Sequence, residues 1–175
     1  GTSWRGAGTS TASVMQLQLI DELRPTIWAC MASYGLHLAN LAESRGFDLA
    51  GSSVTKIVVA AEPLSKAKRQ KLERMWGAEV FDQFGMTEGA LMACEGTART
   101  GSHLWSDLFY CEVVDEVTGE LKRDGEVGAL VMTPLWNNTV TPFLRWNSGD
   151  LISISQDGGG EGPWAMYPLL RHERR

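Results

Sequence analysis

Asp82-Gln83-Phe84-Gly85-Met86-Thr87-Glu88-Gly89 places an aromatic ring, a glycine, a hydroxyl and a carboxylate side by side at the end of an apolar run. Phe84 is suited to stacking on a purine, and Thr87 to bonding a phosphate oxygen. Glu88 is suited to Mg²⁺, which takes one or two carboxylates plus substrate phosphates. The same letters also fit a loop in which Thr87 and Glu88 cap a helix. Two further segments carry similar potential. Ala60-Ala61-Glu62-Pro63 follows a β-branched run, and ligands dock at the carboxyl ends of strands in open α/β sheets. It reads equally as an ordinary turn in which Pro63 starts a helix. In Arg145-Trp146-Asn147-Ser148-Gly149-Asp150-Leu151, Asp150 is suited to accepting two hydrogen bonds from ribose hydroxyls. Asn, Ser, Gly and Asp are also the common turn formers, so a plain turn between two strands fits too.

The elements that must position these residues differ between the two halves of the chain. Residues 12–24 carry Met15, Leu19 and Leu23 at helical spacing, closed by Pro25. Residues 26–30 form a short apolar strand. Tyr34, Leu38 and Leu41 mark a second helix that stops near Gly46. Residues 56–60 form a β-branched strand. Ser65 caps a third helix whose apolar side holds Leu72, Met75 and Trp76, with Gly77 as its stop. Residues 79–84 form a third strand. This alternation predicts a mainly parallel sheet with helical crossovers. From residue 110 onward the signals are strands, at 110–114, 129–133, 143–146 and 151–154. Turns at Thr118-Gly119-Glu120 and Asp124-Gly125 separate the first two. The expected fold is therefore α/β. A three-layer parallel-sheet half over residues 1–104 precedes a small antiparallel, β-rich, barrel-like half over 105–175.

Composition excludes several classes. Of 175 residues, 43% are hydrophobic and 21% charged, so a sizeable core is possible. The net charge of −5 argues against a nucleic-acid partner. The basic group Lys66, Lys68, Arg69, Lys71 and Arg74 reads as the solvated face of a helix. Three cysteines at long spacing form no disulfide framework and suit a reducing, cytosolic setting. No apolar run reaches membrane-spanning length, and no signal peptide is recognised. Cys94, His103 and Cys111 offer zinc-binding atoms, but at none of the compact zinc spacings. His37 and His172 show no evident partner. Gly-x-Ser-x-Gly is absent, so a hydrolase triad is unsupported.

Taken together and in order, the three segments resemble the adenylate-forming superfamily. Phe84-Gly85-Met86-Thr87-Glu88 is similar to its Tyr-Gly-x-Thr-Glu segment, and Ser148-Gly149-Asp150 to its Thr-Gly-Asp. Ser33-Tyr34, Ala61-Glu62-Pro63, His103-Leu104-Trp105, Asp115 through Gly128 and Pro142-Phe143-Leu144-Arg145 resemble the phenylacetate–CoA ligase family in particular. The resemblance implies an ATP-dependent carboxylic acid–CoA ligase with ATP, Mg²⁺ and CoA as substrates or cofactors. A small aromatic or acyl carboxylic acid would be the partner. It implies that Ala61, Glu62 and Pro63 line the adenine site and that Asp82 and Phe84 flank the base. Thr87 would contact the α-phosphate, Glu88 would bind Mg²⁺, and Asp150 and Arg175 would hold the ribose. Tyr34, Gly85 and Met86 would border the acid pocket.

The family's tyrosine is Phe84 here, which keeps stacking and loses a hydroxyl, and its threonine is Ser148. Gly6 to Thr11 is Gly/Ser/Thr-rich but lacks the lysine of the family's phosphate loop. The expectation is thus a truncated form, inactive alone and dimerising with a second copy. A non-catalytic nucleotide-binding or assembly module built on the same scaffold is the alternative.

Overall fold

A computed structural model describes residues 10–136, 139–157 and 163–174. It comprises two compact units, residues 1–80 and 81–175. Residues 81–104, grouped with the first half in the sequence reading, are part of the second unit.

The first unit alternates helix and strand. Helix α1 spans Ser13–Leu23, strand β1 Ile27–Cys30, helix α2 Ala32–Ser44, strand β2 Lys56–Val59 and helix α3 Lys66–Trp76. Strand β3, Glu79–Met86, starts here and continues into the second unit. β1 and β2 run parallel, with Ile27 opposite Lys56 and Cys30 opposite Val59. β2 is hydrogen-bonded to β3 in the strand order. Ser65 caps α3 by accepting from the Lys68 N–H at 3.2 Å. Gly77 ends it at φ +61°, the left-handed position that favours glycine. Ile57, Val59, Leu72, Trp76 and Val80 form the core with Leu38. Trp76 stacks on Trp28 at 4.5 Å between ring centroids, and its Nε1 donates to the Gly35 carbonyl at 3.1 Å.

One expected stripe is displaced. Met15 and Leu23 of α1 are exposed, and the buried side is Gln16, Leu17 and Ile20. Apolar residues occur all round this helix, so spacing alone does not select its inner face.

The second unit is antiparallel. It adds β4 (Ala90–Glu95), β5 (Ser102–Leu104), β6 (Phe109–Val114), β7 (Val127–Pro134), β8 (Trp146–Ser155) and β9 (Leu169–Arg174). Its strand order is β3-β4-β5-β9-β8-β7-β6. Met92, Leu104, Phe109, Leu130, Met132, Ile152 and Leu170 come from six of these strands and share one apolar cluster. Residues 143–146 and 151–154, read from sequence as two strands about a turn, are instead served by one continuous strand, β8, that starts only at Trp146. Only Trp146 of the first run is a strand residue, and β8 then continues through Ser155.

Candidate functional site

The Phe84–Glu88 segment forms the tip of a β-hairpin. β3 runs on to Met86, and Thr87, Glu88 and Gly89 turn the chain into β4, with the Gly89 N–H donating to the Met86 carbonyl at 3.2 Å. No helix follows, so Thr87 and Glu88 are not helix caps. Phe84 lies opposite Ala93 and Gly85 opposite Leu91, so β4 bulges by one residue at Met92. Phe84 and Met86 are half-buried against the apolar cluster of this unit. Thr87 is exposed and Glu88 half-buried. Asp82 is half-buried, and its N–H donates to Glu95 Oε2 at 2.7 Å.

Asp150 is placed by a different irregularity. Ala129 of β7 lies opposite Leu151 and Val131 opposite Asn147. One residue of β7, Leu130, therefore faces three of β8: Ser148, Gly149 and Asp150. This is a large bulge, and it re-aims the side chains within it. Gly149 supports it at φ +77°. The Gly149 N–H donates to Asn147 Oδ1 at 2.9 Å, and the Asp150 N–H to Ser148 Oγ at 3.1 Å. Asn147 and Ser148 thereby satisfy backbone donors that the ladder drops. Asp150 is 8% exposed. Ahead of the bulge, Arg145 Nε pairs with Glu112 Oε2 at 3.0 Å, and the Arg145 N–H donates to Thr133 Oγ1 at 2.9 Å.

His172 on β9 joins the two segments. Its Nε2 is 3.4 Å from Asp150 Oδ1, and its ring centroid is 5.6 Å from that of Phe84 at an interplanar angle of 36°. β3 and β9 are three strand spacings apart in the order, which is about 14 Å in a flat sheet. The ring contact requires that the sheet curl over its apolar face. A half-buried aromatic ring, an imidazole and a nearly buried carboxylate thus share one place, a combination that suits a base with an adjoining sugar. The Thr87-Glu88 tip lies a few residues along the same hairpin. His172 is the residue that sequence reasoning missed. Its position follows from β8–β9 register, Ile152 opposite His172, which has no local sequence signal.

In the first unit, Ala61, Glu62 and Pro63 follow β2. Ala61 and Pro63 are exposed, and Ala61 holds φ +69°, uncommon for a residue with a Cβ. The Glu62 carboxylate accepts from the Ser33 N–H at the start of α2. Tyr34, in the first turn of α2, has its hydroxyl 3.1 Å from Ser13 Oγ and its ring 6.3 Å from Trp28. Arg175 lies outside the described residues, as do Gly6 through Thr9.

The three cysteines are free thiols. Burial pushes Cys30 and Cys111 up to about 12, and burial followed by the charges of Glu95 and Asp82 raises Cys94. Cys94 faces His103 across β4 and β5, while Cys111 faces Met132. Among the described residues no three Cys, His, Asp or Glu side chains gather as a metal-binding group. No helix among them is long and apolar enough to cross a membrane.

Residues 5–134 match the AMP-binding enzyme family. The chain is 35% identical over 143 residues to the phenylacetate-coenzyme A ligase of Pseudomonas putida, covering 79% of this chain and 32% of that one. It is 35% identical over 161 residues to that of Thermus thermophilus, covering 89% and 36%. The crystal structure of an open conformation of 2-hydroxyisobutyryl-CoA ligase, in complex with 2-HIB-AMP and CoA, superposes with a TM-score of 0.83 at 27% identity. That match covers 94% of this chain and 39% of the other. The chain spans about a third of the length of the curated relatives it matches. With residues 5–134 matching that family and phenylacetate–CoA ligases among its relatives, this chain belongs to the AMP-binding enzyme family.

Proposed function

We propose that this chain is the nucleotide-binding section of an ATP-dependent, AMP-forming carboxylic acid–CoA ligase acting on a small aromatic or acyl acid. The observation that carries the reading is the convergence of Phe84, His172 and Asp150 from three strands. In the reaction, the acid's carboxylate attacks the α-phosphate of ATP and pyrophosphate leaves. The CoA thiolate then attacks the acyl carbon of the adenylate and AMP leaves. Phe84 offers its face to the base, with Asp82 beside it, and Asp150 accepts from the ribose hydroxyls. A carboxylate has about four lone-pair sites and can accept from several donors at once, the two hydroxyls of a diol among them. Thr87 donates to the α-phosphate. Holding the reactants in line supplies much of the rate.

Glu88 is the Mg²⁺ ligand in this reading. A half-buried carboxylate at a hairpin tip suits an ion that takes most of its other ligands from phosphates and water. Bound there, the ion would offset the charge repulsion between the acid and ATP. By the resemblance, Ala61, Glu62 and Pro63 serve the adenine, Tyr34, Gly85 and Met86 the acid, and Arg175 the ribose.

The isolated chain binds nucleotide but does not complete the two-step reaction, and it forms a homodimer. Exposed Leu135, Trp136, Val140 and Leu144 support the latter. Unpaired thiols support a reducing, cytosolic setting. Calorimetry tests the main reading: AMP and ATP bind the folded chain, and Glu88→Ala abolishes the Mg²⁺ dependence of ATP binding. A folded chain that binds neither nucleotide overturns it. Pyrophosphate exchange by the isolated chain would overturn its inactivity, and a clean monomer in concentrated gel filtration would overturn the dimer.

A further inference from the structure

We propose that His172 is a positioning residue for the nucleotide site, fixing the ribose-binding carboxylate and the base-stacking ring relative to each other. The inference deepens the nucleotide-binding reading above and rests on it. Asp150 sits in a bulge, where the ladder does not dictate side-chain direction as it does in a regular strand. Phe84 sits beside another bulge, on a strand three spacings away from β9. Neither irregularity by itself sets the distance between ring and carboxylate. His172 touches both: Nε2 is 3.4 Å from Asp150 Oδ1, and its ring is 5.6 Å from Phe84.

The supports around His172 are firm. Its neighbours on β9, Leu169 and Leu170, are 1% and 2% exposed, and Ile152 opposite it is fully buried. An imidazole held there offers one nitrogen to the carboxylate and a flat face to the phenyl ring. No other standard side chain combines a polar ring atom with a face of that size and shape. Groups positioned in advance bind with less ordering cost than groups that must be assembled around the ligand.

The two contacts separate by substitution. His172→Phe keeps a ring against Phe84 and removes the nitrogen facing Asp150. His172→Gln keeps a polar group for Asp150 and removes the ring. AMP, 3′-deoxy-AMP and GMP are titrated against the wild-type chain and both variants by calorimetry, with circular dichroism and melting confirming that each is folded. The expected result is a split. His172→Phe loses roughly three- to tenfold of its preference for AMP over 3′-deoxy-AMP, the scale of one hydrogen bond, and retains its preference for AMP over GMP. His172→Gln retains the sugar preference and loses base preference. A general loosening of the fold would weaken all three ligands together and move neither ratio. If the wild-type chain binds AMP and both folded variants keep both ratios, His172 has no positioning role. If only one variant folds, an unchanged ratio in that variant is sufficient to reject the contact it removes. If the wild-type chain binds no AMP, the nucleotide reading falls and takes this inference with it.

Discussion

Gly85 and Ala90 approach so closely across the β3–β4 hairpin that a Cβ on Gly85 would stand 2.3 Å from the Ala90 carbonyl oxygen. The obstacle is backbone, not the end of a flexible side chain, so it cannot rotate away. Gly85→Ala is expected to cost at least about 1–3 kcal/mol of stability, the scale of overpacking in a rigid site. Chemical denaturation measures it, and a variant as stable as the parent would show that the hairpin relaxes.

Gly149 presents the opposite case. An added Cβ there meets nothing within 4 Å, yet φ is +77°. Gly149→Ala is therefore a test of backbone strain alone and should cost roughly 1–2 kcal/mol. Gly149→Asn should cost less, because Asn enters the left-handed region more readily. Equal losses in the two variants would place the cost elsewhere than in the dihedral.

Phe84 should bear nucleotide stacking without depending on a hydroxyl. Phe84→Ala is expected to weaken AMP binding by about 1–3 kcal/mol, the range for one base on one aromatic ring. Phe84→Tyr, which restores the tyrosine of the family pattern, should leave affinity within a few-fold. Calorimetry on the folded chains decides, and tight AMP binding by Phe84→Ala would remove Phe84 from the base site.

The half-buried thiols of Cys30 and Cys111 make stability fall in alkali. An ordinary thiol titrates near 9.0, whereas Cys30 and Cys111 hold their protons to about 12 in the folded chain. Below 9 both states are protonated and these groups add no pH dependence. Between 9 and 12 the unfolded chain loses protons that the folded chain keeps, so stability drops on the order of 1 kcal/mol per pH unit per thiol. Urea titrations at pH 8 and pH 10 check the slope, and replacing both cysteines by alanine should flatten it. Alkylation of Cys111 should likewise be slow at pH 8, since the thiolate is the nucleophile.

An acid-side counterpart sits at the exposed β6–β7 turn. Asp115 bonds Lys122 at 2.8 Å and accepts from the N–H groups of Thr118 and Val117, which hold its carboxyl well below the usual range. Its contribution is present above the ordinary value of 3.8 and is lost as pH falls below it. The pair is only half-buried and solvent reaches it, so the effect is small and screened by salt. Asp115→Asn should remove the acid sensitivity of amide protection at Val117 and Thr118, measured by hydrogen exchange.

Local signals made the first unit readable. Ser65 and Gly77 bound α3 because a cap and a left-handed stop are single-residue chemistry. The β-branched run before Ala60 made β2. β4, by contrast, is built from Ala, Leu, Met, Cys and Glu, residues with no strand preference, and is a strand because β3 and β5 pair with it. Asp150 was legible as a candidate residue while its setting was not. Asn-Ser-Gly-Asp reads as a turn, and only the pairing with β7 turns it into a bulge inside a continuous strand. His172 lay beyond sequence reasoning for the same reason, since its partners arrive from residues 84 and 150.

β5 hydrogen-bonds to β9, so residues 102 and 103 wait for residues 169 and 170. Everything between them, including the β6–β7–β8 meander, can zip up from neighbouring strands before that seam exists. Closing the seam imposes the chain's long-range entropy cost in one step, and such pairings form slowly. Refolding should therefore proceed with an early meander and a late β5–β9 closure. Because Asp150 and Phe84 lie on opposite sides of the seam, the capacity to hold a nucleotide should appear only in that last phase.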